Sequence, residues 1–210
     1  VNLKKFKPSS ENRRIIRKGK GIEIELVPRE EYHFTDERRE FFKTYADIKF
    51  GKDVMTFERL DGLFSSPIIS HLLVFIDSET QKEVGVVTLY LEGKSLAFYY
   101  YAFYDLNYYA RNLGMFMMTS AVALFAERGV KHLYLGSCYS DSALYKTQFA
   151  GAEFFNGFRW SDDIAELKFI IKRDKKELRQ HLLETEEYRE LFYQGKLEKL
   201  IESGGFKVKL

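Results

Sequence analysis

The sequence predicts a mixed α/β domain: a central sheet with helices on both faces and a charged helical extension at the C-terminus. Three observations predict it. Residues 71–105 hold three apolar-rich runs separated by turn residues, which reads as a three-strand meander. From residue 107 the pattern changes to that of one long helix, ended by Gly129 in a position suited to a C-cap. A short apolar run at 130–137 follows, and strands on either side of a helix argue for a mixed sheet covered by helices.

Each element has its own reason. Residues 22–27 (IEIELV) read as a strand. Residues 35–50 read as a helix with Thr35 or Asp36 as N-cap, acids in the first turn, and Phe41, Phe42, Tyr45 and Ile48 on one broad face. Residues 56–64 form a second short helix, stopped before Pro67. The meander strands are 71–77, 82–93 and 95–105, with turns at Ser78–Gln81 and Glu92–Lys94. After the long helix and the buried strand, 140–151 reads as a helix of about two turns. Residues 152–160 and 164–172 read as two strands joined by Ser161-Asp162-Asp163, and 174–202 as charged helix broken near Gly195.

The composition limits the options. The chain has 210 residues, with 45% hydrophobic and 30% charged residues, enough for a core without staples. Cys138 is the single cysteine, so no internal disulfide and no cysteine-rich metal cluster is expected, which fits a reducing, cytoplasmic setting. His33, His71, His132 and His181 show no metal-ligand spacing, so no metal site is expected. No apolar run reaches the length of a membrane span, and the first residues carry no signal-peptide core. Net charge is only +2, yet residues 1–20 carry eight Lys/Arg against one Glu, which leaves the remainder at −5. That arm reads either as a solvated tail or as a contact for a polyanion such as RNA or an acidic membrane surface. The expected organisation is a basic arm (1–20), the mixed α/β domain (21–172) and a helical extension (173–210).

The element order resembles the GNAT acyltransferase fold. There the last meander strand runs into a helix whose first amides hold a pyrophosphate, since a helix N-terminus offers unpaired N–H groups and partial positive charge. The turn often reads Q/R-x-x-G-x-G/A; here it reads Arg111-Asn112-Leu113-Gly114-Met115-Phe116. The bulky Phe116 replaces the last small residue and would crowd a pyrophosphate. By spacing alone, the stretch reads first as an ordinary amphipathic helix with Gly114 placed for close packing.

A second resemblance covers residues 35–171. Ala102-Phe103-Tyr104-Asp105, Leu113-Gly114, Tyr134-Leu135-Gly136 and Tyr145-Lys146-x-Gln148-Phe149 resemble, in order, motifs of the C-terminal domain of arginyl-tRNA–protein transferases and their bacterial leucyl-transferring relatives. The resemblance implies a GNAT-like fold and transfer of an amino acid from the 3′ end of aminoacyl-tRNA to a protein N-terminal amine, marking the protein for degradation. It implies no cofactor beyond the aminoacyl-tRNA donor; acyl-CoA is the alternative donor, and a non-catalytic binding module the alternative class. The sequence departs from the family's pattern at Leu106, where a proline is usual, at Ser142, and at Ala150-Gly151. It also lacks the cysteine-rich region that usually precedes the domain.

The chemistry needs alignment of amine and ester, removal of a proton, and a stabilised oxyanion. Asp105, at the end of the third meander strand, is the candidate to accept the proton or orient the amine; an Asx cap is its structural alternative, with Asn107 as competitor. The resemblance implies a leaving-group or oxyanion donor in Tyr145 and a phosphate holder in Lys146, each equally readable as a packed aromatic and a solvated lysine. Arg111 with the amides of Asn112, Leu113 and Gly114 is the candidate donor-phosphate grip, and a surface ion pair is the alternative for Arg111. Eight of the twelve residues from 98 to 109 are aromatic, which predicts a central strand covered on both faces. Tyr104 belongs to this run, whose remaining surface would stack the terminal adenine or the transferred side chain. Cys138 reads as a small buried hydrophobe.

Overall fold

A five-stranded sheet in the order β1-β2-β3-β4-β5 organises the first part of the chain: Ile22–Pro28, His71–Asp77, Glu83–Glu92, Leu96–Tyr104 and His132–Tyr134. The structure, a computed structural model, describes residues 1–176, 180–196, 198, 199 and 201, and of Tyr109–Arg111 the backbone only. Strands β1 to β4 are antiparallel, and β5 adds in parallel beside β4. The parallel step is possible because a helix, α4 (Leu113–Glu127), makes the crossover. The chain falls into two compact units, Val1–Gly136 and Ser137–Leu210, and each is described by itself.

In the first unit helices cover both faces of the sheet. On one face lie α2 (Asp36–Lys49) and α3 (Phe57–Ser65), started by Thr35 and Thr56, whose hydroxyls accept from the backbone N–H of Arg38 and Arg59. Phe42 stacks on Phe64 at 5.2 Å and on Phe103 of β4 at 4.7 Å, within a core that includes Leu72, Val74 and Val86. The other face carries α4, where Phe116 meets Phe75 of β2 edge-on at 6.0 Å.

The basic arm is a folded element, not a solvated tail. Residues Ser10–Lys18 form helix α1, opened by a Ser9/Asn12 capping box, with Ile15 buried. The tail reading fails because Ile15 and Leu3 supply anchors that charge counting overlooks.

The aromatic strand β4 is also not covered along its whole length, since Tyr100 is 45% exposed. Register explains this. Val87 pairs with Ala102 but Leu89 with Tyr99, so β4 carries one extra residue opposite Thr88. The Thr88 hydroxyl accepts from the Tyr101 amide at 3.1 Å and so holds this bulge. Pairing between β4 and β5 stops at Phe98 and Tyr134, so β4 continues to Tyr104 with no β5 partner.

In the second unit, the helix expected over 140–151 is a 3-10 helix at Asp141–Gln148. The single strand expected over 152–160 is instead a hairpin of Phe154–Phe155 (β6) and Trp160–Ser161 (β7). Residues 164–172, expected as a strand, lie in helix α5 (Ile164–Asp174). Asp163 decides this: its carboxylate accepts from the amides of Ala165 and Glu166 and caps the helix, which then buries Leu167 and Ile171 one turn apart. Helix α6 (Glu186–Tyr193) follows. Within the charged 174–202 segment, residues 177–179, 197, 200 and 202 lie outside the described residues.

Candidate active site at the end of strand β4

Asp105 leaves β4 and is buried, 6% exposed. Its Oδ2 accepts from Lys82 Nζ at 2.8 Å, and its Oδ1 accepts from both the backbone N–H (2.9 Å) and the side-chain amide (2.8 Å) of Asn107. A carboxylate has about four acceptor positions, so three bonds leave it one. Burial pushes its pKa up, but the Lys82 and Asn107 bonds outweigh that and hold it below the ordinary carboxylate value. Asp105 is therefore ionised at neutral pH: a weak base and a firm negative anchor. The same geometry shows the Asx turn onto Asn107 that its position allowed. Lys82, its partner just before β3, carried no sequence signal, because a lysine beside a turn is usually solvent-facing.

A 3-10 segment, Leu106–Arg111, connects Asp105 to α4. Tyr108 donates its hydroxyl to Asp77 at 3.0 Å and so fastens this segment to the end of β2. Asn112 takes a left-handed backbone (φ 51°) before α4 begins at Leu113, whose side chain is buried. The first amides of the helix, those of Leu113 and Gly114, thus start directly after the Asp105 turn. The Arg111 side chain lies outside the described residues.

Gly114 packs against Tyr104: a Cβ there would stand 2.7 Å from the Tyr104 hydroxyl and 2.8 Å from its ring. Tyr104 is in turn set 4.8 Å from Tyr45 of α2. Phe116 does not crowd the helix start. It is 4% exposed and turned inward, onto Gly19 and Phe75. The residue expected to obstruct a phosphate is a core residue.

In the second unit, Lys146 donates to the Ser137 carbonyl at 2.8 Å, and burial lowers its pKa. Tyr145 is 45% exposed. Cys138 is half-buried, and burial raises its thiol pKa, so it is no ready nucleophile.

Sequence reasoning missed a buried carboxylate in the same unit. Glu166 is fully buried and receives hydrogen bonds from Ser161 (2.6 Å), Tyr188 (2.5 Å), Asn156 (2.7 Å) and Arg159 (3.2 Å). Reading 164–172 as a strand gave no reason for a buried glutamate; the helical period of α5 puts Glu166 inside. Among the described residues no cluster of three or more His, Cys, Asp or Glu could hold a metal ion, and no helix is long and apolar enough to cross a membrane.

Comparison with known proteins places these features. Residues 37–156 match the family model described as arginine-tRNA-protein transferase, C terminus, and the chain belongs to that family. An aspartate/glutamate leucyltransferase of Ruegeria pomeroyi is 30% identical over 134 residues, covering 60% of this chain and 48% of its own length. Another of that name from Ruegeria sp. (strain TM1040) is 23% identical over 169 residues, covering 77% and 60%. The chain thus spans about half to three fifths of the length of these relatives. Among solved structures, the C-terminal domain of a protein described as a putative lysylphosphatidylglycerol synthetase from Agrobacterium fabrum matches with a TM-score of 0.50 at 14% identity, covering 66% of this chain and 44% of that one. At that identity the likeness concerns the fold alone, and the fold is the mixed α/β, GNAT-like one expected from the element order.

Proposed function

We infer that this chain is an aminoacyltransferase that moves an amino acid from aminoacyl-tRNA to the N-terminal amine of a protein. The observation that carries this reading is the family match over 37–156, which contains every candidate site residue. The relatives' name suggests leucine as the residue moved and aspartate or glutamate as the N-terminal acceptor.

In the reaction the acceptor nitrogen attacks the aminoacyl ester carbonyl. A C–N bond forms, the ester C–O bond breaks, the amine gives up a proton and the ribose oxygen takes one. No covalent enzyme intermediate is needed. Asp105, ionised and with one acceptor position left, holds and orients the acceptor amine; a water relays the proton. Its depressed pKa favours anchoring over direct proton abstraction. The first amides of α4, with Arg111, hold donor phosphate, and Gly114 with Tyr104 sets the position of that helix start against β4. Tyr145 serves the leaving oxygen and Lys146 a donor phosphate; single substitutions test each role.

The test is a screen of labelled aminoacyl-tRNAs against peptides with different N-terminal residues. Label on the peptide supports the reading. Tight acetyl-CoA binding without label transfer overturns it in favour of a CoA-dependent acyltransferase, and peptide or RNA binding without transfer overturns it in favour of a binding module. The protein is expected to act in the cytoplasm, where charged tRNA and the new N-termini of proteins are both present.

A further inference from the structure

Residues 1–20 carry a net charge of +7, and the structure makes them a fixed element. The arm starts at the edge of β5: Leu3 N–H donates to the Lys131 carbonyl at 2.9 Å, Leu133 N–H donates to the Val1 carbonyl at 3.0 Å, and Asn2 bridges to His132. Helix α1 then lies on α4, with Ile15 and Asn12 buried. It ends at Gly19, which is so close to the Phe116 ring that a Cβ there would stand 2.0 Å from it. Three residues later the chain enters β1 at Ile22.

The strand register shows where this path leads. His132 pairs with Leu96, the first residue of β4. Ile22 pairs with Asp77, whose neighbour Ile76 pairs with Glu83; two residues on, Gly85 pairs with Tyr104, the last residue of β4. The arm therefore travels from one end of the sheet to the other and finishes at the end that holds Asp105 and the start of α4. At about 3.3 Å per residue, the nine residues of β4 make that path on the order of 30 Å long.

All eight basic side chains of the arm are exposed, and its one acid, Glu11, is paired with Arg14. We propose that this arm is a phosphate rail that holds the RNA backbone of the donor, with Arg17, Lys18 and Lys20 nearest the reacting end and Lys7 and Arg13 farther along. The proposal rests on the donor being aminoacyl-tRNA. Fixed, like-signed charges at intervals along the arm's path match a polyphosphate backbone, and the arm needs no base contacts to hold it. A membrane surface fits less well. The apolar side of α1 is already buried against α4, and Ile16, at 39% exposed, is the one aliphatic residue of α1 left to insert.

The test measures binding of deacylated tRNA to the full chain as a function of salt, for the natural protein and for a variant with Arg13→Gln, Arg17→Gln, Lys18→Gln and Lys20→Gln together. Each phosphate that the variant no longer neutralises should reduce the slope of log K against log salt by about 0.7–0.9, so its slope should fall by about 3. At low salt its affinity should fall at least tenfold, with an unchanged circular dichroism spectrum and melting temperature. An unchanged slope overturns the proposal. So does binding of the natural protein to phosphatidylserine vesicles, abolished in the variant, with no measurable tRNA binding. The readout does not depend on transfer. Rail-dependent tRNA binding without aminoacyl transfer sinks the proposed function and leaves the rail; full transfer with an unaltered salt slope in the variant sinks the rail alone.

Discussion

Substituting Gly114 by alanine should move the first turn of α4, and the structure sets the size and sign of the effect. An added Cβ would stand 2.7 Å from the Tyr104 hydroxyl, whereas ordinary contact begins at 3.4 Å, so the ring must retreat by about 0.7 Å. Tyr104 cannot do so freely, because Tyr45 lies against it. Overpacking of this kind costs about 1–3 kcal/mol, against up to about 1 kcal/mol that alanine gains over glycine in a helix. Gly114→Ala alone should therefore destabilise the protein by about 1–2 kcal/mol. In a Tyr104→Ala background the obstruction is gone, and the same change should be neutral or stabilising by up to about 1 kcal/mol. Urea unfolding of the four proteins in this cycle, read as midpoints at constant slope, measures the coupling. If Gly114→Ala stabilises the protein equally in both backgrounds, the close approach of Tyr104 to α4 is wrong, and so is the role given to Gly114 in placing the helix start.

Other substitutions test separate parts of the molecule. Glu166→Ala removes a fully buried carboxylate and strands Ser161, Asn156, Tyr188 and Arg159; it should cost about 3–5 kcal/mol in thermal or chemical unfolding. Asp105→Asn should lower the transfer rate by about 10²–10³ while leaving the protein folded, which single-turnover kinetics would measure. Its stability cost should depend on pH. A folded-state pKa held below 3.8 gives stability that is present above that value and disappears as pH falls through the lower folded value; the stability difference between the natural protein and the Asp105→Asn variant should thus close under strong acid. Gly19→Ala should loosen α1 from α4 through the Phe116 ring, and Phe116→Leu in the same chain should restore part of the protection from hydrogen exchange in residues 10–18.

Much of the first unit was readable from local pattern. The meander strands, the capped helices at Thr35 and Thr56, and the turn from Asp105 into a long helix all carry short-range signals that packing did not override. The errors occurred where tertiary contacts decide. Counting charge in residues 1–20 hid Ile15 and Leu3, which are few but sufficient to dock the arm. The bulge opposite Thr88 leaves Tyr100 exposed, and a single polar residue in an apolar strand was its one signal. Residues 164–172 alternate well enough to suggest a strand, yet Asp163 caps them as helix and Glu166 finds partners up to 27 residues away. The positions of Asp105 and Gly114 were legible because a strand end and a helix start carry local signals. Lys82 was not, because its meaning depends on a partner 23 residues along the chain.

The proposed function is the formation of a new amide bond at a protein N-terminus with an amino acid carried by tRNA. Mass spectrometry of an Asp-initiated peptide after incubation with leucyl-tRNA tests it most directly. The expected product is heavier by one leucine residue, attached at the N-terminal amine, and it should be almost absent with Asp105→Ala. An unmodified peptide in the presence of folded protein and intact leucyl-tRNA, across the other aminoacyl-tRNAs and N-termini as well, would contradict the claim.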